Sequence, residues 1–353
     1  MKSQKKIITA FISVFLLLCC TPVFCKDYDE RRVMFGENYT HIEKVSPDKI
    51  PVLKSNISAL RSFAENFHDY PDFPITEASY FREKAGDTIF YRVIYEIQDL
   101  PFPAAVGFDK LQLFVLERGG KLFILDCSYL YKKTSGDGTV HSYTAYTYTN
   151  MTVVKNKNSF DLISHSTTSC VDYYDDPEEG GHGIEYSGYG EAEFYRLNDV
   201  LKAADSAKPQ GSSIPKIKPE SYCYAKCGKT LIDEDRPFMY TIQNAFDGNP
   251  STSYVEDSED DSISIEIGLT GARIKKIGII NGFAKNSQLY EANNRIKDFT
   301  LSDDDKPYSF TDTYSNQYTF FPVDNYAAVT LKTTSVYKGK SCTDTCISDI
   351  VIE

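Results

Sequence analysis

The sequence of 353 residues contains no tryptophan and only five histidines, and it lacks the short motifs of common hydrolases. No two histidines have the His-x-x-x-His or His-Glu-x-x-His spacing of a zinc hydrolase. No Gly-x-Ser-x-Gly segment marks a serine nucleophile, and no Gly-rich phosphate loop is present. Catalysis requires a positioned set of groups, and none can be recognised. The sequence therefore predicts no catalytic residues and favours a binding role.

Basic residues are scarce: the sequence has 38 Lys and Arg residues but 50 Asp and Glu residues, which gives a formal net charge of −12. The first 25 residues contain three lysines and no acid, so their removal would lower the charge by three, to −15. A surface this negative repels nucleic acid phosphates and anionic lipid heads. Nucleic acid is therefore not expected as a partner.

Long apolar runs are also missing, apart from the one at Ile7 to Leu18, which follows three lysines. Twelve apolar residues are too few to span a bilayer but suit a signal peptide, predicted over residues 1–25. Val23 and Cys25 have the small side chains that signal peptidase favours. Alternatively, residues 17–20 resemble a loose lipobox, which would leave a lipid anchor at Cys20. We therefore expect an exported protein, periplasmic, cell-surface or secreted, and no integral membrane protein.

Six of the nine cysteines lie beyond the targeting segment, and an even number in an exported chain favours disulfides. The candidates are Cys127, Cys170, Cys223, Cys227, Cys342 and Cys346. Pairing the 223/227 set with the 342/346 set would join the two ends of the C-terminal half, and Cys127 would then pair with Cys170. Four thiolates could instead form a structural zinc site. An oxidising compartment and the absence of nearby histidine favour the disulfides.

The chain divides at residues 206–220, which are rich in Pro, Ser and Gly and predict an extended linker. Before it, residues 26–205 show one amphipathic helix, with Ile57, Leu60, Phe63 and Phe67 at helical spacing after the N-cap candidates Ser55 and Asn56. The remainder alternates aromatic, β-branched and polar residues between turn signals, for example in Thr88 to Ile97. The sequence thus predicts an antiparallel β-rich (α+β) domain of unknown role.

Residues 221–353 contain short strands at about ten-residue spacing and no long helix, as in Ser262 to Ile267, where isoleucine alternates with polar residues. This pattern predicts a β-sandwich jelly roll. The chain as a whole is therefore expected to be mainly β.

A loop near the start of this second domain carries several oxygen side chains. Asp-Gly followed by Asn-Pro predicts two successive tight turns. The turns bring together Asn244, Asp247, Asn249 and Thr252, which are oxygen donors of the kind that Ca²⁺ prefers. The alternative is a hydrogen-bonded loop that only closes a sheet.

The second domain resembles the NADase-type glycan-binding domain, a jelly roll of the discoidin or galactose-binding superfamily found in bacterial NAD glycohydrolase toxins. The matching segments are AFDGNPSTSY, SIEIG, IKKIGIINGFAK, LYEANNRIKDF and YKGKSCTDTCISDI, in that order over about 110 residues. Two positions depart from the family pattern: Tyr254 stands where tryptophan is usual, and Asp349 stands where the last motif usually has Glu. The toxins' catalytic domain is not recognisable in the first half, so the resemblance does not imply NAD hydrolysis.

The resemblance implies a structural calcium in the loop, with Asp349 as a further ligand. Glycan binding is expected on the loop after residue 280, where aromatic, amide and cationic side chains occur together. The predicted ligand residues are Phe283, Lys285, Tyr290, Asn294 and Arg295. The chain is thus predicted to be an exported bacterial binding protein whose jelly roll binds carbohydrate or another surface ligand. The alternative is an exported enzyme that the jelly roll targets, with an unrecognised catalytic domain in the first half.

Overall fold

The computed structural model describes residues 34–35, 41–68, 74–98, 106–108, 110–137, 141–156, 159–176, 181–208, 213–233, 236–257, 260–302 and 306–353. The predicted signal peptide, with Cys20, lies outside the described residues. Among the described helices, none is long and apolar enough to cross a membrane. The fold is mainly β, as the sequence predicts.

The chain first forms a five-stranded antiparallel sheet, called here the small sheet, in the order β1-β2-β3-β5-β6. Its strands are β1 (Glu43–Val45), β2 (Ile75–Ala85), β3 (Thr88–Ile97), β5 (Lys110–Arg118) and β6 (Lys121–Tyr129). Two helices, α1 (Pro51–Lys54) and α2 (Ile57–Phe67), cover one face. Leu60 and Ala64 of α2 are fully buried against apolar side chains of β3 and β5, because their spacing places them on one side of the helix.

A fourteen-stranded large sheet runs through the rest of the described chain. Its first part consists of β4 (Val106–Phe108), β7 (Tyr131–Asp137), β8 (His141–Asn156), β9 (Ser159–Asp176) and β10 (Gly181–Arg196). Helix α3 (Leu197–Ser206) follows β10. Met151, Val153 and Leu162 of this sheet pack with α3 against the second face of the small sheet. The first half of the chain is therefore a layered α+β structure.

The second half continues the same sheet. Its strands are β11 (Cys223–Cys227), β12 (Tyr254–Val255), β13 (Ser264–Leu269), β14 (Ile274–Asn281), β15 (Asn294–Leu301), β16 (Pro307–Ser309), β17 (Thr319–Tyr326), β18 (Ala328–Tyr337) and β19 (Thr345–Ile352). A short helix, α4 (Ser287–Ala292), precedes β15. Strands β13, β15 and β18 on one side and β14, β17 and β19 on the other enclose one apolar core. This arrangement is a β-sandwich with the jelly-roll character expected from the sequence.

The two halves share both a sheet and a core. Strand β11 pairs with β10 on one side and with β13 on the other. Ile163, Ala192 and Phe194 from the first half are buried in the core of the sandwich. The predicted linker is extended where it is described and packs against the first half. Ile214 and Ile217 are buried, and Lys216 forms a parallel β-bridge with Ile124 of β6. The structure thus joins the halves through continuous hydrogen bonding.

The expected disulfides are not formed in the structure, where Cys127, Cys223, Cys227, Cys342 and Cys346 are free thiols. Cys223 and Cys227 lie on the same face of β11 and are buried in the sandwich core, where a thiol acts as a small apolar group. Cys127 is in the small sheet, whereas Cys170 is in the large one. No group of three or more metal-binding side chains occurs within the described ranges, so the zinc alternative gains no support there.

Candidate functional site

A polar pocket of about 240 Å³ opens beside the segment from Ser309 to Thr319 of the sandwich. Every second residue of this segment lines the pocket, and each of these residues has a hydroxyl or an amide side chain: Ser309, Thr311, Thr313, Ser315, Gln317 and Thr319. Tyr290, Phe310 and Asn281 complete the lining. None of the described lining side chains carries a charge at neutral pH. The pocket therefore combines buried aromatic surface with uncharged hydrogen-bonding groups.

The residues between the lining positions hold the segment in place. Asp312 accepts hydrogen bonds from Arg295, at 3.1 Å from Nε and 2.5 Å from Nη2, and from the Tyr290 hydroxyl at 3.2 Å. The Arg295 guanidinium also lies 5.1 Å from the centroid of the Tyr290 ring. Tyr314 packs edge-on against Tyr290 and donates to the carbonyl of Ala284 at 3.2 Å. Arg295 and Asp312 thus fix Tyr290 at the base of the pocket.

The five predicted ligand residues occupy different environments. Tyr290 lines the pocket, although its side chain is largely buried. Phe283 is buried with Val255 and Cys346 in a small apolar cluster. Asn294 is also buried, and its amide nitrogen donates to Asp261 at 2.7 Å. Lys285 is exposed on the loop before α4. The structure therefore brings Tyr290 and Arg295 to one site, and places Phe283 and Asn294 in the interior.

The predicted calcium loop is compact and its oxygens converge on one hydroxyl. Thr252 Oγ1 lies 3.0 and 2.8 Å from the two carboxylate oxygens of Asp247 and 2.7 Å from the carbonyl oxygen of Asn249. A hydroxyl has a single hydrogen to donate, so it can satisfy only part of this acceptor set. Asn249 N–H also donates to Asp247 at 2.8 Å, and Gly248 turns the chain with a φ of +69°. The loop therefore offers a cluster of oxygens that suits a hard cation.

Asp349 of β19 lies beside this loop. Burial raises the pKa of its carboxyl to about 7, while hydrogen bonds from Tyr318, Ile350 N–H and Gly248 N–H oppose the rise. The Tyr318 hydroxyl donates directly to Asp349, and burial together with Asp349 raises the pKa of Tyr318. A nearly fully buried carboxyl of this kind favours a proton or a cation.

Asn244 has a supporting position in the same loop. Its amide nitrogen donates to the carbonyl of Met239 at 2.7 Å and lies near two further carbonyls. Within the described residues no cluster of three His, Cys, Asp or Glu side chains is present, so a cation here would rely on hydroxyl and carbonyl oxygens as well as the two carboxylates. Asp247, Thr252, Asp349 and the Asn249 carbonyl form a donor set that fits Ca²⁺.

The histidines whose side chains are described all contact other side chains of the fold. His41 contacts Glu83 at 2.9 Å, and His68 contacts the Tyr129 hydroxyl at 2.9 Å. His165 is buried on the core side of β9 and packs edge-on against Phe238. His68 and His165 are therefore interior side chains, whereas His41 is exposed and reaches the buried Glu83 from the surface.

The fold and the loop define the second half as a discoidin-like jelly roll. Residues 223–353 match the family described as NAD glycohydrolase translocation F5/8 type C domain, which confirms the resemblance inferred from the sequence. The match begins at β11, the strand that joins the two halves. The first half matches no family. No curated protein matches the chain.

Apart from Tyr290, the residues that line the pocket were not predicted from the sequence. The signal was present in the alternation of residues 309–319, S-F-T-D-T-Y-S-N-Q-Y-T, with a hydroxyl or amide at each odd position. Tyr254, which replaces the usual tryptophan, is buried and donates to the carbonyl of Lys229 at 3.2 Å. The Tyr254 hydroxyl therefore has a hydrogen-bond partner inside the protein.

Proposed function

We propose that this chain is an exported bacterial binding protein whose jelly roll binds an uncharged carbohydrate in the pocket beside residues 309–319. The observation that carries the proposal is the lining itself, with six hydroxyl or amide side chains at alternate positions above Tyr290 and Phe310. Sugar rings present C–H faces that pack on aromatic surface and hydroxyls that pair with polar side chains. The lining offers both kinds of contact.

The size and charge of the pocket define the ligand further. Its volume of about 240 Å³ is below the range of about 300–1,000 Å³ that is usual for drug-sized ligands, so it suits one sugar unit at the end of a chain. An anionic sugar would find no cation in the lining. Tyr290 contacts the ligand in this proposal, and Arg295 positions Tyr290 through Asp312. The binding unit is thus a terminal neutral sugar.

Calcium has a structural role in the same proposal. The ion would be held by Asp247, Thr252, Asp349 and the carbonyl oxygen of Asn249. Its positive charge would balance the negative charges of the two carboxylates. Tyr318 links this site to the pocket, because it donates to Asp349 and stands between the lining residues Gln317 and Thr319. A cation at Asp349 would therefore secure one end of the pocket.

Export rests on residues 1–25 and is supported by the match to a translocation domain of a toxin family. An exported binding protein can act in the periplasm, on the cell surface or outside the cell. Processing at Cys20 would keep it attached to a membrane by a lipid anchor. A surface glycan is the partner that fits all three locations.

The test uses the mature chain from Lys26 onward, screened against neutral and anionic glycans, followed by calorimetry on the best ligand. The double variant Thr313→Val with Thr319→Val removes two pocket hydroxyls and keeps side-chain shape. We expect it to weaken binding by about ten-fold or more, since each lost hydrogen bond contributes about 1 kcal/mol. Thr334→Val, an exposed threonine on β18 of the same domain, is the matched control. Equal affinities of the wild type, the double variant and Thr334→Val would refute the pocket as the binding site.

A further inference from the structure

A second and larger groove, of about 470 Å³, lies on the outer face of the large sheet where the two halves of the chain meet. The first half contributes Thr149, Ser164, Ser166, Glu191 and Glu193, and the second half contributes Ser221, Tyr224 and Lys226. Neither half contains the whole groove. It exists because β11 pairs with β10.

Strand alternation shows which side chains face this groove. Ala192 and Ala225 are directly paired and buried, so their side chains point into the sandwich core. Their neighbours Glu191 and Lys226 point to the opposite side and are exposed. His165 pairs with Ala192 and is therefore on the core side, contributing only main chain to the floor. The walls are thus made of hydroxyl, carboxylate, ammonium and phenol groups.

One wall is a tyrosine held flat against the sheet. A Cβ at Gly268 would collide with the ring of Tyr224, which shows that this ring lies directly over the glycine. The Tyr224 hydroxyl donates to Glu266 at 2.7 Å, which fixes the other end of the ring. Tyr189, two residues before Glu191 on the same face, is 51% exposed. Tyr224 is only half-buried, with Lys226 Nζ 5.5 Å from its ring centroid. Aromatic rings that are fixed and at least partly exposed provide stacking surfaces for sugar rings.

The charge of the groove is negative overall. Glu191 and Glu193 outnumber Lys226, and Glu191 lies directly opposite Lys226 in the strand register. Glu193 accepts a hydrogen bond from the Tyr195 hydroxyl and is exposed. Such a surface repels anionic ligands and favours neutral or amino-substituted ones. The hydroxyls of Thr149 and Ser166 lie 3.3 Å apart beside these carboxylates.

We propose that this groove is a second carbohydrate site, for a sugar chain without negative charge, and that the first half of the chain serves to complete it. The site differs from the jelly-roll pocket in position, in its carboxylates and in its dependence on both halves. An amino sugar fits it best, because its ammonium group can pair with Glu191 or Glu193 while its hydroxyls meet the serine and threonine side chains.

The experiment uses the mature chain carrying Thr313→Val and Thr319→Val, so that binding in the pocket is reduced. Calorimetry with a glucosamine tetramer, a cellotetraose and a galacturonate tetramer is expected to give the tightest binding for the amino sugar. Binding of the galacturonate should be weaker by about ten-fold or more. Adding Glu191→Lys should abolish this preference. Glu77→Lys makes the same change in net charge on an exposed residue of β2, and it should leave the affinities unchanged within about two-fold.

The inference is overturned if galacturonate binds as tightly as the amino sugar, or if Glu191→Lys and Glu77→Lys have equal effects. The two proposed sites can also fail separately. Weaker neutral-sugar binding in the pocket variants, with amino-sugar binding retained, supports both sites. Unchanged neutral-sugar binding in those variants, together with a clear effect of Glu191→Lys, refutes the pocket and supports the groove.

Discussion

Arg92 and Glu83 form an ion pair in which both side chains are fully buried, with Nη2 of Arg92 2.7 Å from Oε2 of Glu83. The guanidinium also lies between the rings of Phe35 and Phe114, each with its centroid at 4.8 Å. Nη1 donates to Asn150 of β8 at 2.9 Å. Although burial opposes ionisation of Glu83, the charge of Arg92 holds the pKa of that carboxyl below its usual value. The pair therefore links the small sheet to the large one.

Removing one member of this pair should destabilise the protein strongly. Arg92→Met leaves a buried carboxylate without its partner, and such a loss costs about 3–5 kcal/mol of unfolding free energy. The double variant Arg92→Met with Glu83→Leu should recover much of this loss, because no charge then remains buried. Urea denaturation measures the unfolding free energies of the single and the double variant. Arg61→Met breaks an exposed pair with Glu65 and should cost less than about 1 kcal/mol. Similar losses for Arg92→Met and Arg61→Met would contradict the structural role of the buried pair.

Asp349 should make the jelly roll less stable as pH rises. Its folded pKa of about 7 is above the usual value of 3.8, so the fold favours the protonated carboxyl. This contribution is complete below the unfolded pKa and is lost as pH rises through the folded pKa. Between pH 5 and 8 the wild type should lose about 2–3 kcal/mol more than Asp349→Asn. Chemical denaturation of both proteins across this range provides the measurement.

Calcium should reverse this loss if the loop binds it, because the cation stabilises the ionised carboxylate. We expect millimolar calcium to raise the melting temperature of the wild type at pH 8 and to have little effect at pH 5. Asp247→Asn should abolish the shift, and magnesium provides a control for general salt effects. An unchanged melting temperature at pH 8 would refute the calcium site and leave the pH dependence standing.

His165 should make the fold sensitive to acid. Burial, and next the nearby charge of Arg92, lower its pKa to about 3 from 6.5. The neutral ring is therefore favoured in the folded state, and stability is lost as pH falls below 6.5, by about 1.4 kcal/mol per pH unit. His165→Phe keeps an aromatic ring against Phe238 and should remove this slope between pH 6.5 and 5. Parallel slopes for wild type and variant would show that His165 is not buried as a neutral ring.

Thiol labelling should separate the exposed cysteine from the buried ones. Cys342 is exposed, whereas burial raises the pKa of Cys223 to about 12 and raises the pKa values of Cys227 and Cys346 as well. Without reductant, Cys342 in the mature chain should react rapidly, and Cys342→Ser should remove the fast phase. The buried thiols should react only after unfolding. If the unfolded and unreduced mature chain shows fewer than its six thiols, disulfides are present and the thiol assignment is wrong.

Local patterns predicted many of the strands. The predicted strand Thr88 to Ile97 coincides with β3, and the predicted helix matches α2, because alternation and helical spacing are properties of the segment alone. Residues 121–132 have the apolar and aromatic pattern of a single strand. The structure divides it at Leu130 into β6 and β7, which belong to different sheets. Both sheets use the same apolar and aromatic residues, so the sequence cannot show where the chain passes between them.

Long-range pairing accounts for what the sequence did not predict about the sites. For the segment of β11, the sequence predicted only two disulfide candidates, Cys223 and Cys227. The place of this strand between β10 and β13 depends on contacts with distant residues. Asn294 and Arg295 were expected to face a ligand. Their polar atoms are taken by Asp261 and Asp312, which lie far from them in the sequence. A local pattern identifies a polar residue, but its partner is decided by the tertiary fold.

An NMR titration of the mature chain, followed through its threonine methyl signals, would locate the bound sugar. If the jelly-roll pocket binds a neutral sugar, the methyl signals of Thr311, Thr313 and Thr319 should shift as the sugar is added, and the signal of Thr334 should stay unchanged. Thr149 reports separately on the outer groove and should respond to the amino sugar. A bound neutral sugar that leaves the three pocket methyls unchanged would contradict the proposed function.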